Sequence, residues 1–262
     1  MDYSVKNNNI IVSEKDFDLD ETLDCGQAFR WKKVSPDTYE GSFLNTPLKI
    51  SQKDKVFTFH DTTEADFLNI WYDYFDFGTD YSELKRQFSE DETLAKACEF
   101  AGGIRLLKQD AWECLVSFII SQNNNIPRIK GIIDRLCEHY GMFPTAEMLS
   151  AETPESLGYL RSGFRAKYIC DAVQKVSGGT ADLEKIKAMP LDDARQALQK
   201  IKGVGAKVSE CVLLFGMHRT EAFPVDVWIK RVLEKYYPNG FPDFTDKGIA
   251  QQYLFHYIRN LE

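Results

Sequence analysis

The chain has 262 residues, of which 44% are hydrophobic and 13% aromatic, which is enough apolar material for one large domain or two modest ones. Six cysteines are scattered without a CxxC pair, which argues against a disulfide framework or a zinc site, and no long apolar run suggests a membrane span. The formal net charge is -8, but residues 1–100 carry 11 Lys and Arg against 21 Asp and Glu, whereas residues 101–262 carry 21 against 19.

Short strand-like segments separated by turn residues characterise the N-terminal part. The segments cover residues 10–12, 29–31, 38–43 and 55–60, and turns are indicated at 36–37 and 45–47. This pattern predicts a small antiparallel sheet. Gly26 stands shortly before the second segment, where a glycine bend leading into a strand is the simplest interpretation.

Helical patterns follow the sheet. Apolar residues recur at helical spacing over residues 65–75, 82–88 and 94–100, and the last of these patterns ends at Gly102-Gly103. We therefore predict an α+β fold, with a small N-terminal antiparallel β-sheet domain and flanking helices in residues 1–100. A mostly α-helical domain follows in residues 101–262.

A helix that is apolar nearly all round is predicted from its N-cap Asp110 to Gln122, with Glu113 at the capping-box position. We expect this helix at the centre of the core. Three asparagines follow at 123–125, before a helix over 126–140 that has a proline in its first turn. On local sequence these asparagines are an ordinary polar link between two helices.

Short helices are predicted over residues 144–160. Residues 163–168 are predicted to open a further helix, which extends to residue 176. Phe164 and Arg165 stand at its beginning, with Phe164 at an exposed position. An aromatic side chain there is commonly a hydrophobic staple to the core.

The chain between residues 198 and 227 carries the clearest chemical signal. Helical patterns over 194–201 and 208–217 flank a hairpin whose two glycines let the backbone approach a bulky anion such as phosphate. The hairpin residues are Lys202, Gly203, Val204 and Gly205. Lys207 follows in the first turn of the second helix as a candidate nucleophile, and Asp226 caps a predicted helix through residue 236. A hairpin of this kind also grips the DNA backbone in non-catalytic proteins, so Lys207 as a phosphate contact and Asp226 as a cap alone stay open.

The order and spacing of Lys207 and Asp226, the latter in Pro224-Val225-Asp226, resemble the helix-hairpin-helix, Gly/Pro-Asp superfamily of DNA glycosylases, most closely its 8-oxoguanine DNA glycosylase branch. In that family the lysine attacks the anomeric carbon of the sugar. The resemblance implies a bifunctional DNA glycosylase and abasic-site lyase that flips out and excises 8-oxoguanine through a lysine Schiff base, in base excision repair. No four-cysteine cluster follows the hairpin, in contrast to superfamily members with an iron–sulfur cluster, and we expect neither cofactor nor metal.

The same resemblance implies a base pocket. In the family the glycine of a Gly-Gln-x-Phe-Arg-Trp segment, here Gly26, reads the damaged base through its carbonyl group. A glutamine and a phenylalanine four residues apart, here Gln251 and Phe255, read the Watson–Crick edge and stack on the ring, while Cys211 covers the other face and Phe215 lines the pocket. Locally, core packing explains Phe255 equally well, and solvent exposure explains Gln251.

Four further residues are implied to hold the DNA. Asn123 enters the space left by the flipped nucleotide, Phe164 is the wedge in the base stack, and Arg128 and Arg165 read the orphaned partner base. The chain departs from the family at Phe164, where tyrosine is frequent, and at Trp228, where the familiar eukaryotic members have a histidine.

The implied partner is double-stranded DNA that contains 8-oxoguanine, preferably opposite cytosine. Because duplex DNA attracts Lys and Arg, we expect it to contact mainly the less acidic part after residue 100. We also expect a monomer without a membrane partner, located in the cytoplasm with the nucleoid of a bacterium or in the nucleus of a eukaryote. Two alternatives stay open: a glycosylase of the same superfamily for another damaged base, and a DNA-binding module without catalysis.

Overall fold

The computed structural model describes residues 2–261 and divides the chain into two compact units. The first contains the chain up to Lys108 together with the chain from Val225 onward, and the second is Gln109–Pro224. The predicted division into 1–100 and 101–262 therefore differs from the observed one, because the C-terminal helix belongs with the N-terminal sheet. In that unit the hydroxyl group of Tyr253 donates a hydrogen bond to the carbonyl oxygen of Ile104, at 3.0 Å.

Six strands of the first unit form one antiparallel sheet, in the spatial order β1-β2-β6-β5-β4-β3. The strands are β1 (Asp2–Lys6), β2 (Asn9–Ser13), β3 (Lys32–Ser35), β4 (Thr38–Phe43), β5 (Thr46–Lys53) and β6 (Val56–His60). This confirms the predicted sheet and the predicted α+β class.

Two details of the predicted sheet are wrong. Residues 29–31 form an irregular segment and not a strand. Phe29 and Trp31 are both core residues, and Trp31 donates its indole N–H to the Tyr74 hydroxyl at 2.7 Å. The turn expected at 45–47 lies one residue earlier. Leu44 and Asn45 both have positive φ, at 46° and 62°, which is the geometry of a two-residue hairpin, so the following residues are free to form β5.

Helices make up most of the remaining chain. The α-helices are α1 (Leu19–Leu23), α2 (Glu64–Asp66), α3 (Tyr72–Tyr74), α4 (Tyr81–Phe88), α5 (Glu92–Phe100), α6 (Ala111–Ser121), α7 (Ile126–Tyr140), α8 (Arg165–Ser177), α9 (Leu183–Lys187), α10 (Leu191–Gln199), α11 (Ala206–Cys211), α12 (Val227–Tyr236) and α13 (Lys247–Leu261). A π-helical turn, Phe67–Trp71, joins α2 to α3, and another, Val212–Gly216, continues α11. Within residues 2–261 no helix is long and apolar enough to cross a membrane.

The second unit is built around α6. Its N-cap is Asp110, whose side chain accepts the backbone N–H of Glu113 at 2.8 Å, and 8 of its 11 residues are buried. It packs against α7, α8, α11 and the π-helical turn after α11. The central position expected for this helix is confirmed, since a helix that is apolar all round is stable only when it is covered on all sides.

Candidate active site

The predicted helix-hairpin-helix consists of α10, the hairpin and α11. Gly203 has a φ of +84°, and a Cβ atom at this position would lie within 2.9 Å of three ring carbons of Tyr168. Only glycine fits both the left-handed backbone and this close approach. Gly205 is the extended N-cap of α11, with open space around its α-carbon.

The hairpin is fastened to α8 by a small ionic network. The carboxylate of Asp171 accepts the backbone N–H of Lys202 at 2.6 Å and pairs with Lys175 at 2.8 Å, while Lys175 also donates to the carbonyl oxygen of Lys200 at 2.6 Å. Burial alone would raise the pKa of Asp171, but the hydrogen bonds from Lys175 and Lys202 hold it below its usual value. These anchors were not predicted, although Tyr168, Asp171 and Lys175 have the spacing of one helical face.

Lys207 is the second residue of α11 and is half-buried. Its Nζ atom lies 5.0 Å from the ring centre of Phe118, and Phe118 stacks on Phe215 with ring centres 5.2 Å apart and planes 16° apart. Within Gln109–Pro224, Lys207 has neither an ion pair nor a side-chain hydrogen bond. Its ammonium group therefore rests on an aromatic face, and no carboxylate of its own unit holds it.

Cys211 and Phe215 follow Lys207 at intervals of four residues, on α11 and its π-helical continuation. Both side chains are buried. The structure thus brings both Lys207 and Phe215 into contact with one aromatic ring, that of Phe118, which the sequence did not single out as a site residue. π-helical turns within α-helices occur frequently at functional sites.

Asp226 is the N-cap of α12, as predicted. Its Oδ1 atom accepts the backbone N–H groups of Trp228 at 3.0 Å and Ile229 at 2.9 Å. Both bonds use the same oxygen, and in the described part of its unit Oδ2 has no hydrogen-bond partner. The capping interaction therefore holds the carboxylate in place through Oδ1, and Oδ2 takes no part in the cap. Trp228, the departure noted above, is half-buried, and the guanidinium group of Arg231 lies 5.0 Å from the centre of its ring.

Of the predicted pocket residues, Gln251 belongs to a buried hydrogen-bond network of the first unit, and Gly26 directly follows another member of that network, Cys25. Gly26 has a φ of +87°, and the thiol of the preceding Cys25 contacts Oε1 of Gln252 at 3.7 Å. The side-chain amide of Gln252 in turn donates to Oε1 of Gln251 at 2.8 Å. The chain near Gly26 and the helix that carries Gln251 are thus joined by Cys25 and Gln252, which sequence reasoning missed.

Gln27 fixes the other side of Gly26. Its side-chain amide donates to the carbonyl oxygens of Thr22 at 2.9 Å and Arg105 at 2.8 Å, and its Oε1 accepts the N–H of Leu107 at 3.0 Å. Burial raises the pKa of the neighbouring Cys25 thiol to about 12, so this sulfur stays protonated. Gly26 thus stands between two residues whose side chains are anchored by hydrogen bonds.

The burial of Gln251 and Phe255 is the reverse of what their local sequence suggests. Gln251 is only 2% exposed, so solvent exposure does not explain it. Phe255 is half-buried, with the guanidinium group of Arg259 5.9 Å from its ring centre, so it is not a core residue. A buried polar group beside a half-buried aromatic ring on one helix is a pattern that binding sites favour over cores.

The three asparagines after α6 have different environments. Asn125 caps α7 by accepting the N–H of Arg128 at 3.0 Å, and the side chain of Asn124 donates to the carbonyl oxygen of Ile120 at 3.1 Å. Asn123 is exposed with a φ of +46°, and its side chain has no hydrogen bond within the second unit. Two asparagines therefore build the link, and the first projects from it.

Arg165 does not occupy the position expected of a residue that reads a base. It is only 3% exposed, and its guanidinium group donates to the carbonyl oxygens of Gln122, of Asn123 at 2.9 Å and of Ser162 at 3.1 Å. In this conformation its donors are committed to holding the asparagine link. Arg128, by contrast, is exposed and makes one long bond of 3.5 Å, to the carbonyl oxygen of Arg161, in this unit.

Phe164 is 48% exposed, which is incompatible with a staple buried in the core. Its ring lies edge-on to that of Tyr168, with centres 5.7 Å apart, and the guanidinium group of Arg165 is 4.5 Å from its centre. Because Tyr168 also contacts Gly203, this tyrosine supports both the exposed phenylalanine and the hairpin.

None of the site residues forms a recognisable metal centre. Across residues 2–261 no group of three or more His, Cys, Asp and Glu side chains has the geometry to hold a metal ion.

Two family models match adjoining parts of the chain. Residues 9–115 match the N-terminal domain of 8-oxoguanine DNA glycosylase, and residues 116–243 match the HhH-GPD superfamily of base excision DNA repair proteins. The boundary between these two matches lies inside α6, within the second compact unit.

Individual relatives agree with these matches. The chain is 31% identical over 252 residues to the N-glycosylase/DNA lyase OGG1 of Arabidopsis thaliana, covering 86% of this chain and 67% of that protein. The solved structure of MBOgg1 in complex with a low affinity DNA ligand is 38% identical, with a TM-score of 0.94 over 100% of this chain and 99% of that one.

A third relative is the 8-oxoguanine glycosylase/lyase of Clostridium acetobutylicum, solved with double-stranded DNA containing cytosine opposite 8-oxoguanine. It is 35% identical, with a TM-score of 0.91 over 100% of this chain and 99% of that one. These similarities extend over the whole chain and include both the sheet and the helix-hairpin-helix. The chain therefore belongs to the 8-oxoguanine DNA glycosylase family of the HhH-GPD superfamily.

Proposed function

We propose that this protein is a bifunctional DNA glycosylase and abasic-site lyase that excises 8-oxoguanine from duplex DNA. The observation that carries the proposal is Lys207, a half-buried amine on the face of Phe118 with no ion pair in its own unit. Family membership supports the same reaction, and relatives named as N-glycosylase/DNA lyase extend over most of the chain.

Lys207 is the proposed nucleophile. The nitrogen of its neutral amine forms a bond to the anomeric carbon of the sugar, and the bond from that carbon to the base breaks. The base leaves with the electron pair and takes up a proton, and opening of the sugar ring gives an imine with the lysine. Loss of the neighbouring sugar proton then expels the 3′ phosphate, which is the lyase step.

Asp226 is the proposed stabiliser of the positive charge that develops on the sugar as the base leaves. Its capping bonds use Oδ1 alone, which leaves Oδ2 to act on the sugar without loss of the cap. A carboxylate fixed by its own helix needs little reorganisation when the charge appears. This is the physical advantage of combining the cap and the catalyst in one residue.

The residues proposed to contact the flipped base are Gly26, Gln251 and Phe255 of the first unit and Cys211 and Phe215 of the second, as the family resemblance implies. The carbonyl of Gly26 supplies an acceptor for the N–H that distinguishes 8-oxoguanine from guanine. Gln251, already held by Gln252, presents its remaining amide atoms to the Watson–Crick edge. Flipping costs a few kcal/mol, and insertion of Asn123 and the exposed ring of Phe164 into the duplex offsets part of it.

Selectivity for cytosine opposite the lesion is assigned to Arg128. Its guanidinium group has donors only, and an unpaired cytosine offers acceptors at O2 and N3, whereas adenine would direct its amino group at those donors. Leaving donor against donor in a desolvated site costs about 1–3 kcal/mol. Arg165 contributes indirectly, by holding the link that carries Asn123. We further propose that the protein acts as a monomer in the compartment that contains the genome.

Borohydride trapping tests the proposed function. Duplexes with 8-oxoguanine, other oxidised or alkylated bases, or no lesion are incubated with the protein and reduced. The unmodified protein should become covalently attached to 8-oxoguanine DNA, and Lys207→Gln should not. Lys200→Gln is the matched control, since it removes an exposed lysine side chain just before the hairpin and keeps the backbone carbonyl that Lys175 contacts. Trapping of Lys207→Gln, or stronger trapping on another damaged base, would contradict the proposal.

A further inference from the structure

Glu210 is a second charged residue on the helix that carries Lys207, three positions further along. Its carboxylate accepts the Nε–H of Arg195 on α10, and the Nη2 group of Arg195 donates to it at 3.3 Å. The same carboxylate accepts the backbone N–H of Phe223 through Oε2 at 2.7 Å. The Glu210 side chain is only 12% exposed, so these bonds are shielded from water.

This carboxylate is not available as a base or as a phosphate contact. Arg195 neutralises it and is itself oriented by Asp192 at 2.6 Å, and the hydrogen bond to Glu210 is the main reason why the pKa of Arg195 is raised. A charge-assisted bond from a backbone N–H to a shielded carboxylate is one of the stronger hydrogen bonds in proteins. Glu210 therefore joins both helices of the helix-hairpin-helix to the backbone at residue 223.

The segment after this anchor is short and stiff. Phe223 is followed by Pro224, whose ring fixes its own φ and restricts the residue before it to extended conformations. Asp226 is reached only two residues later. Asp226 is thus three residues from the anchored N–H of Phe223, and the proline ring restricts the backbone of that short connection.

We propose that Glu210 is a positioning residue for Asp226. It anchors the segment before Asp226 to α11, the helix that carries Lys207. It affects base release through Asp226. The proposal rests on the proposed function of Asp226.

The test compares two reactions of the same protein. Release of 8-oxoguanine needs negative charge beside the developing sugar cation, whereas imine formation at a preformed abasic site starts from an aldehyde and does not. Glu210→Ala should lower the single-turnover rate of base release by about 10- to 100-fold, since a misplacement near 1 Å has this effect, and should change trapping on abasic DNA less than about threefold. Glu210→Gln, which keeps an acceptor for Phe223, should recover part of the rate.

The matched control is Glu221→Ala. Glu221 is an acidic residue of the same segment that pairs with Arg219 at 2.6 Å, and it should leave both reactions unchanged. A double-mutant cycle adds a readout that a merely structural role would not give. In an Asp226→Asn background, Glu210→Ala should have little further effect on base release, because it acts through the residue already replaced.

Three results would overturn the proposal: equal losses in base release and in abasic-site trapping, full additivity in the double mutant, or unaltered amide hydrogen exchange at Phe223 in Glu210→Ala. The exchange measurement needs no activity. If the unmodified protein neither releases the base nor is trapped, the proposed function fails, and exchange at Phe223 still determines whether the anchor exists.

Discussion

Replacement of Gly203 by alanine tests the construction of the hairpin with a single methyl group. The left-handed backbone at a φ of +84° costs an L-residue about 1–2 kcal/mol. The new Cβ atom would also lie within 2.9 Å of three Tyr168 ring carbons, and overpacking of this kind adds about 1–3 kcal/mol. We therefore expect Gly203→Ala to lower the free energy of unfolding by about 2–5 kcal/mol, equivalent to a fall in melting temperature on the order of 10 °C.

Gly163→Ala separates the two contributions. This glycine has a φ of +62°, but a Cβ atom there meets nothing within 4 Å, so only the backbone cost of about 1–2 kcal/mol applies. The difference between the two variants in urea-induced unfolding measures the contact with Tyr168. In a Tyr168→Ala background, Gly203→Ala should cost no more than Gly163→Ala.

The contact between Gly203 and Tyr168 should also affect base flipping. Tyr168 supports the ring of Phe164, so its displacement by Gly203→Ala should slow base flipping, followed by the fluorescence of a 2-aminopurine placed beside the lesion. If Gly203→Ala were as mild as Gly163→Ala in both stability and flipping, the close packing of hairpin and tyrosine would not be what constrains this position.

Three further predictions concern charged residues of the site. Asp226→Asn should leave the melting temperature nearly unchanged, since asparagine caps helices as well as aspartate does. The single-turnover rate of base release should fall about 10²–10³-fold. A normal rate of base release would mean that Asp226 is only a helix cap. Arg128→Ala should flatten the rates measured opposite the four bases, whereas Arg165→Ala should lower all four together. Equal rates in the unmodified protein would refute the assignment to Arg128. Because the pKa of Asp171 is lower in the folded protein, its stabilisation is present above about pH 4 and is lost as the pH falls through the folded value. Asp171→Asn should therefore lower the melting temperature at pH 7, with a difference that shrinks in acid; a difference independent of pH would exclude this ion network.

The sequence was most informative where a few neighbouring residues decide the structure. Asp110 and Asp226 cap helices as predicted, because a side-chain oxygen that accepts an N–H two or three residues later needs no partner from elsewhere in the chain. The glycine hairpin between two helices is equally local. Membership of the 8-oxoguanine glycosylase family follows from the same short segment, in which Lys207 and Asp226 have a recognisable order and spacing.

Interactions between distant segments were decided only by the tertiary structure. The burial of Arg165 depends on three carbonyl oxygens, two of which lie about forty residues away in the chain. Gln251 is buried and Phe255 half-buried because the C-terminal helix packs in the unit of the N-terminal sheet, which no local pattern reveals.

Asp171 and Glu210 are two further residues whose contacts the local sequence does not predict. Each has the sequence of an ordinary acidic residue on a helix surface, yet each accepts a backbone N–H from a segment 31 or 13 residues away. Local sequence determines which residues have suitable chemistry for the site. The packing of remote segments determines which of them contact a partner within the protein and which remain available for DNA.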